Sequence, residues 1–163
     1  MNTFVVVNKY KRNICVSVFH HTKRYLKKSV ILINGIRLQN VIITEGKVHE
    51  YVGMTLDWSN DSYVKITMYD FLEDILKEVD EKGDMNGTSP TPASDKLFET
   101  DKNSEKLSEK EADYYHRIVA RLLFASKRAR PDLLTAVSYL CSTVKSPTIS
   151  DYNKLKRTIR YIR

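Results

Sequence analysis

At residues 115–132 the chain reads YHRIVARLLFASKRARPD. Apolar side chains recur in its first half at spacings of three and four residues, at Tyr115, Ile118, Val119, Leu122 and Leu123. This is the spacing of a helix that buries one face, because an α-helix completes a turn every 3.6 residues. The stretch therefore predicts an amphipathic helix that is followed by a basic turn.

Two further helices are predicted after that turn. Pro131 suits the first position of a helix, where its missing N–H has no partner to lose, and Asp132 places a carboxylate near the positive end of the helix dipole. After a break at Pro147, we expect Ser150 to cap the last helix. Residues 111–163 therefore predict a basic subdomain of three helices that share one core. The apolar positions of the second and third helices are Leu133, Val137, Leu140 and Val144, and Tyr152, Leu155, Ile159 and Ile162.

The order of these pieces resembles the C-terminal part of the reverse transcriptase of copia-type LTR retrotransposons. That family has a helix ending in Val/Ile-Gly/Ala-x-Leu-x-Tyr/Phe, which is similar to the segment from His116 to Phe124. A basic turn with Arg-Pro-Asp follows in the family, as at residues 127–132 here, and then an apolar helix, as at 133–144. The series ends in Lys-Arg-x-x-x-Tyr-Leu/Ile, which matches residues 156–162.

A further match lies upstream, where residues 45–57 are similar to the family's Tyr-Leu-Gly-Met strand. The resemblance covers roughly residues 40–163. It implies a fragment of a pol polyprotein that spans the end of the palm, the primer grip and thumb-like helices. In the family a ribonuclease H domain follows the counterpart of Tyr161 and Ile162, and we expect this chain to lack it.

Residues 1–68 predict a small antiparallel β region. Runs rich in β-branched residues predict strands at Thr3–Val7 and Ile14–Phe19, joined by a polar connector that suits a hairpin. A further strand is predicted at Leu38–Ile43, while residues 25–33 fit either a strand or a short helix. With the helices downstream, these strands predict an α+β fold.

A β-hairpin is predicted at residues 48–68, with one strand at Val48–Trp58 and its partner at Tyr63–Met68. The resemblance implies that this hairpin is the primer grip, in which Gly53 lets the backbone approach the primer, with Tyr51 and Met54 beside it. The alternative interpretation is that Gly53 marks a bulge and that Tyr51 is half-buried packing.

Two segments of different character link the hairpin to the three helices. Residues 69–79 predict an amphipathic helix with Asp70 as its cap, which by resemblance is the first thumb-like helix. Residues 80–110 contain glycine, proline and many Ser, Thr and Asn side chains, and predict a flexible acidic and polar connector. Its Thr91-Pro92-Ala93 resembles a short Thr-Pro-x segment of the family.

The two-metal site of the family enzyme is not encoded here. In the family, a Tyr/His-Val-Asp-Asp hairpin and a further upstream aspartate hold the Mg²⁺ ions that activate the primer hydroxyl. The nearest counterpart has Thr22 and Lys23 at the aspartate positions, and no Asp or Glu precedes Glu45. Because Mg²⁺ requires hard anionic oxygens, we expect no bound cofactor and no RNA-directed DNA polymerase activity from this chain.

Charge is strongly partitioned along the chain, whose formal net charge is +7. Residues 1–44 carry eight Lys and Arg and no acid, residues 69–113 have a net charge of −8, and residues 114–163 have a net charge of +9. Basic surface attracts the phosphate backbone of nucleic acid without reading its sequence. A basic face is predicted from Lys127, Arg128, Arg130, Lys154, Lys156, Arg157 and Arg160. The alternative is that these cations only solvate exposed helix faces.

Several other classes of function are disfavoured. The longest apolar runs are far shorter than the ~20 residues of a membrane span, and no signal peptide is predicted. Two cysteines indicate neither a disulfide framework nor a zinc site, which favours an intracellular location, cytoplasmic or nuclear. His20 and His21 are adjacent, so on a strand they point to opposite faces and do not chelate one metal. We expect no small-molecule substrate.

The sequence thus supports three hypotheses. The first is a remnant of a retrotransposon polymerase, a pseudoenzyme that binds a primer–template duplex nonspecifically at most. The second is a non-catalytic interaction module or an open reading frame without function. The third is a truncated gene model of an active reverse transcriptase, which in-frame coding sequence upstream with the aspartate motif would support.

Overall fold

The computed structural model describes residues 3–10, 13–20, 42–60 and 62–163, and side chains from residue 46 onward. The chain divides into two compact units, Met1–Ile66 and Thr67–Arg163. Small antiparallel sheets make up the first unit and helices dominate the second, which confirms the α+β class. No helix in the described ranges is long and apolar enough to cross a membrane.

The first sheet of the first unit contains β1 (Thr3–Tyr10), β2 (Asn13–His20) and β3 (Ile42–Gly46), in the order β2-β1-β3. Both pairings are antiparallel, with Val5 opposite Val18 on one side and Thr44 on the other. The two strands predicted near the N-terminus are confirmed, each slightly longer than expected. Of the third predicted strand, Ile42 and Ile43 lie in β3, and its earlier residues fall within 21–41, outside the described ranges.

The second sheet contains β4 (Val48–Tyr51), β5 (Met54–Asp57) and β6 (Lys65–Thr67), in the order β4-β5-β6. The prediction of one continuous strand at Val48–Trp58 was wrong, because the chain reverses at Val52 and Gly53. Their φ angles of 48° and 74° are left-handed, as a two-residue hairpin turn requires. Alternation of apolar and polar residues does not reveal a turn inside the run, and Val52 at this turn is exposed while His49 is buried.

The second unit contains four helices and one 3₁₀ turn. They are α1 (Tyr69–Lys82), α2 (Glu109–Ser126), the 3₁₀ turn Pro131–Leu133, α3 (Leu134–Thr143) and α4 (Ile149–Ile162). All four helices lie in segments for which the sequence predicts one. Pro131 occupies the first position of the 3₁₀ turn, as predicted, and α3 continues directly from it.

The core of the second unit is built around α2. Four of its five predicted apolar residues are buried: Tyr115, Ile118, Val119 and Leu122. The Tyr115 hydroxyl lies 3.1 Å from the carbonyl oxygen of Leu140, to which it donates, and 2.8 Å from the Thr143 hydroxyl. This buried hydroxyl therefore joins the first half of α2 to the end of α3. The other helices contribute Leu72, Ile75, Val79, Leu133, Val137, Leu140, Leu155 and Ile159.

The cap of α4 is Thr148 rather than the predicted Ser150. The Thr148 hydroxyl accepts a hydrogen bond from the amide of Asp151, and the Asp151 carboxylate accepts one from the amide of Thr148. This reciprocal pair is a capping box, which satisfies two amides at the start of the helix. Ser150 already lies inside the helix, and its amide donates to the Ser104 hydroxyl.

Residues 83–108, which we call the strap, differ from the flexible connector that composition predicts. The strap lies along α4, where the amide of Ser89 donates to the carbonyl oxygen of Arg160. At its other end the amide of Ile149 donates to the carbonyl oxygen of Glu105. Met85 and Leu97 are buried. Composition did not predict this packing, because two buried apolar residues and a few backbone hydrogen bonds hold an otherwise polar segment.

We expect Thr148→Ala to lower the free energy of unfolding by about 1 kcal/mol, because it removes the hydroxyl that caps α4. Urea unfolding followed by circular dichroism measures this change. Ser150→Ala is the matched control and is expected to change stability little. A larger loss from Ser150→Ala than from Thr148→Ala would contradict this assignment of the cap.

Candidate nucleic-acid interface

The predicted primer-grip residues lie at the β4–β5 turn of the first unit. Tyr51 and Met54 are directly opposite each other across the turn, and both are half-buried. Gly53 is exposed and has a φ of 74°, a conformation that favours glycine. The turn alone accounts for glycine at this position. The three residues are adjacent, as predicted, but at the tip of a tight hairpin rather than along a strand.

Lys127 and Arg128 follow the last turn of α2 in the second unit, and both are exposed. The guanidinium carbon of Arg128 lies 3.6 Å from the centroid of the Phe124 ring. Its Nη1 donates to the carbonyl oxygen of Phe124 at 3.2 Å. No carboxylate in residues 67–163 lies within 4.0 Å of either cation, so their charge is available to an anionic partner.

Arg130 is bound within the chain by its neighbour Asp132. Its Nε and Nη2 donate to the two carboxylate oxygens of Asp132 at 2.9 and 2.7 Å, and its guanidinium lies 5.6 Å from the Tyr161 ring centroid. The bidentate hydrogen bonds from Arg130 hold the pKa of Asp132 below its ordinary value. Arg130 therefore connects Asp132 of the Arg-Pro-Asp motif to Tyr161 near the end of α4. In this position Arg130 stabilises the fold.

The two predicted lysines of α4 are also bound within the chain. Lys154 Nζ donates to the carbonyl oxygen of Glu99 at 2.6 Å and to the Tyr139 hydroxyl at 2.8 Å. Only 15% of the Lys154 side chain is exposed. Lys156 Nζ lies 3.3 Å from a carboxylate oxygen of Asp84. Both ammonium groups thus face the strap or α3 rather than an open surface.

The strap contacts the side chain of Arg157 and the backbone of Arg160, which are one turn apart on α4. Arg157 Nη2 donates to the Thr91 hydroxyl at 2.8 Å, and the Arg160 carbonyl oxygen accepts from the amide of Ser89. Thr158, between them, donates through its hydroxyl to the carbonyl oxygen of Pro92 at 3.0 Å. The predicted basic face of α4 is therefore largely the surface on which the strap lies.

Sequence reasoning missed the partners of these cations. Asp84 and Thr91 of the strap bind Lys156 and Arg157, and Asp80 at the end of α1 forms an ion pair with Arg163. The signal was present in the partition of charge, since an acidic segment of net charge −8 precedes a basic one of +9. Which acid meets which cation depends on contacts between residues more than sixty positions apart.

A second ion-pair cluster joins α1 to α2. Glu78 accepts hydrogen bonds from Arg117 at 2.8 Å and from Arg121. Tyr114 lies near this cluster. Its partial burial raises the pKa of its hydroxyl to about 12, and the negative charges of Glu78 and Asp84 add to this effect. Among the described residues there is no group of three or more His, Cys, Asp or Glu side chains that could hold a metal ion.

A cavity of about 350 Å³ lies between the strap and α4. Lys96, Glu99, Asp101, Asn153, Lys154 and Arg157 are among the residues that line it. It is therefore lined by both cations and anions, and Lys154 and Arg157 already donate to atoms of the chain. This lining favours no single class of ligand.

Comparison of the chain with protein-family models, curated proteins and solved structures finds no match.

We expect the stability that Asp132 contributes to depend on pH. Because its folded pKa is lowered, the contribution is present above the ordinary carboxyl pKa of about 3.9 and is lost as pH falls through the lowered value. Asp132→Asn should therefore be less stable than the wild type at pH 7, and this difference should shrink toward pH 3. Urea unfolding at a series of pH values measures it. A difference that stays constant across that range would contradict the proposed role of the ion pair.

Proposed function

We propose that this chain is a remnant of a copia-type retrotransposon reverse transcriptase that has no polymerase activity of its own and binds nucleic-acid duplexes weakly, through phosphates. The ordered series of motifs between residues 116 and 162 supports the ancestry. Thr22 and Lys23, at the positions nearest to the catalytic aspartates, support the lack of polymerase activity, because they offer Mg²⁺ no carboxylate.

One observation carries the binding proposal. Lys127 and Arg128 are adjacent, exposed and without a carboxylate within 4.0 Å in residues 67–163, whereas Arg130 and Lys156 each have one. A phosphate that approaches this turn meets two charges that need not first be separated from an acid. The cations of residues 1–44 add further positive charge to the chain.

The expected binding is weak and depends on salt. Each phosphate that a cation neutralises contributes about −0.9 to the slope of log affinity against log salt concentration for a DNA duplex. Lys127 and Arg128 together should therefore contribute about −1.8 to that slope. Binding of this kind follows the phosphate backbone and reads no sequence.

The alternative candidate is a non-catalytic interaction module, or an open reading frame without function. The contacts of Lys154, Lys156 and Arg157 with the strap and α3 favour this alternative, because these cations then stabilise the fold rather than bind a partner. Residues 69–163 have a net charge close to zero, since the acidic and basic halves nearly cancel. In this alternative, Lys127 and Arg128 are ordinary solvated side chains.

Fluorescence anisotropy distinguishes nucleic-acid binding from the alternative candidate. A labelled RNA–DNA primer–template is titrated with the full chain at several salt concentrations. We expect Lys127→Ala with Arg128→Ala to weaken binding at low salt and to make the salt slope less negative by about 1.8. Lys77→Ala with Lys110→Ala is the matched control, because it removes the same charge from exposed positions elsewhere in the second unit. That control should retain the wild-type slope.

Two results would count against the proposal. Absence of binding at low salt would mean that the chain does not bind nucleic acid, and only the proposed ancestry would remain. An equal change of slope in both double variants would mean that net charge, rather than the turn after α2, determines binding.

A further inference from the structure

Arg128 differs from the other exposed arginines of the second unit. The exposed arginines among residues 67–163 are Arg117, Arg128 and Arg163. Arg117 forms an ion pair with Glu78 at 2.7 Å, and Arg163 forms one with Asp80. Arg128 has an aromatic ring as its partner instead, so its donors remain uncompensated by any carboxylate of this unit.

The Arg128 guanidinium lies on the Phe124 ring. A distance of 3.6 Å from its carbon to the ring centroid is a stacking distance, and it is too short for the group to approach edge-on. The hydrogen bond from Nη1 to the Phe124 carbonyl oxygen fixes one edge of the group. One face of the guanidinium is thus covered by the ring, while the side chain as a whole is exposed.

Phe124 is itself held in place from α1. The Phe71 ring lies 5.2 Å from it at an angle of 40°, and the Arg121 guanidinium lies 5.4 Å from the Phe71 centroid. Arg121 is fixed in turn by Glu78. Arg121, Phe71, Phe124 and Arg128 therefore form a continuous series of contacts between α1, α2 and the turn after α2, and Arg128 is its most exposed member.

We propose that Arg128 is a stacking platform for an unpaired nucleobase. A guanidinium plane is weakly hydrated, and it stacks on flat π systems on either of its faces. Proteins bind splayed-out bases by stacking them on aromatic rings or on arginine planes. The base and its phosphate would then be bound together, because Lys127 is adjacent in the chain and exposed.

This inference rests on the proposed nucleic-acid binding and narrows its substrate. Bases inside a duplex are stacked on each other and present no face to a protein. A platform therefore favours a single-stranded overhang or a primer–template junction over a blunt duplex. Fixing the guanidinium beforehand also reduces the side-chain entropy that binding would otherwise cost.

The experiment compares three labelled DNA probes with the full chain at one low salt concentration. They are a blunt duplex, the same duplex with a short single-stranded overhang, and that overhang with abasic residues, which keep the phosphates and lack the bases. We expect the overhang with bases to bind most tightly. Arg128→Lys keeps the charge but loses the plane, so it should weaken binding of that probe by about fivefold or more. Because the positive charge that attracts phosphate is retained, it should weaken binding of the other two probes much less.

Two further variants separate base stacking on Arg128 from the phosphate contact of Lys127. Phe124→Leu removes the ring beneath Arg128 and should reproduce the selective loss, provided that circular dichroism shows an intact fold. Lys127→Ala should weaken binding of all three probes alike, because it removes only a phosphate contact.

Each contrary result has a distinct meaning. Equal weakening of all three probes by Arg128→Lys would overturn the platform and leave Arg128 as a phosphate contact. Equal affinity of the wild type for overhangs with and without bases would overturn it as well. Failure of all three probes to bind would overturn the proposed nucleic-acid binding, and the platform with it.

Discussion

The cations of α4 lie next to its apolar face, so they must have partners when that face packs into the core. The strap supplies most of these partners, and Tyr139 of α3 supplies another to Lys154. Asp84 forms an ion pair with Lys156. The Glu99 carbonyl oxygen accepts a hydrogen bond from Lys154, and the Thr91 hydroxyl accepts one from Arg157. A partly buried cation that loses its partner costs more free energy than an exposed one, because it has less water around it. The contacts of the strap thus help to stabilise the packing of α4, which contributes Leu155 and Ile159 to the core around α2.

The features that the sequence predicted well are local. The periodicity of residues 115–123 specifies a buried helix face, and Pro131 marks the start of the next helical segment. The features that it missed depend on residues that are distant in the chain or on small differences between neighbours. Thr148 and Ser150 are both good caps, and only the capping box with Asp151 selects Thr148. The reversal at Val52 and Gly53 lies within a run that alternates like a single strand.

The same distinction applies to the candidate site. A helical wheel shows which lysines and arginines share a face, but not which of them face an acid. The exposed positions of Lys127 and Arg128 follow from the end of α2 and were within reach of sequence reasoning. The roles of Arg130 and Lys154 could not be predicted from the sequence. Arg130 depends on its contacts with Asp132 and Tyr161, and Lys154 depends on Tyr139 and the strap. The number of cations available to a partner is therefore smaller than the sequence suggests.

The strap also has a consequence for the order of events during synthesis. It emerges from the ribosome before α4, the surface that it covers, so Ser89 has no Arg160 carbonyl oxygen to bind until about seventy further residues have been made. At about 5–20 residues per second, this delay lasts several seconds. During that time the hydrogen bonds between the strap and α4 cannot form, and the acids of the strap keep the nascent segment solvated. The polar composition that resembles a flexible linker therefore suits a segment that must stay soluble while it waits for its partner.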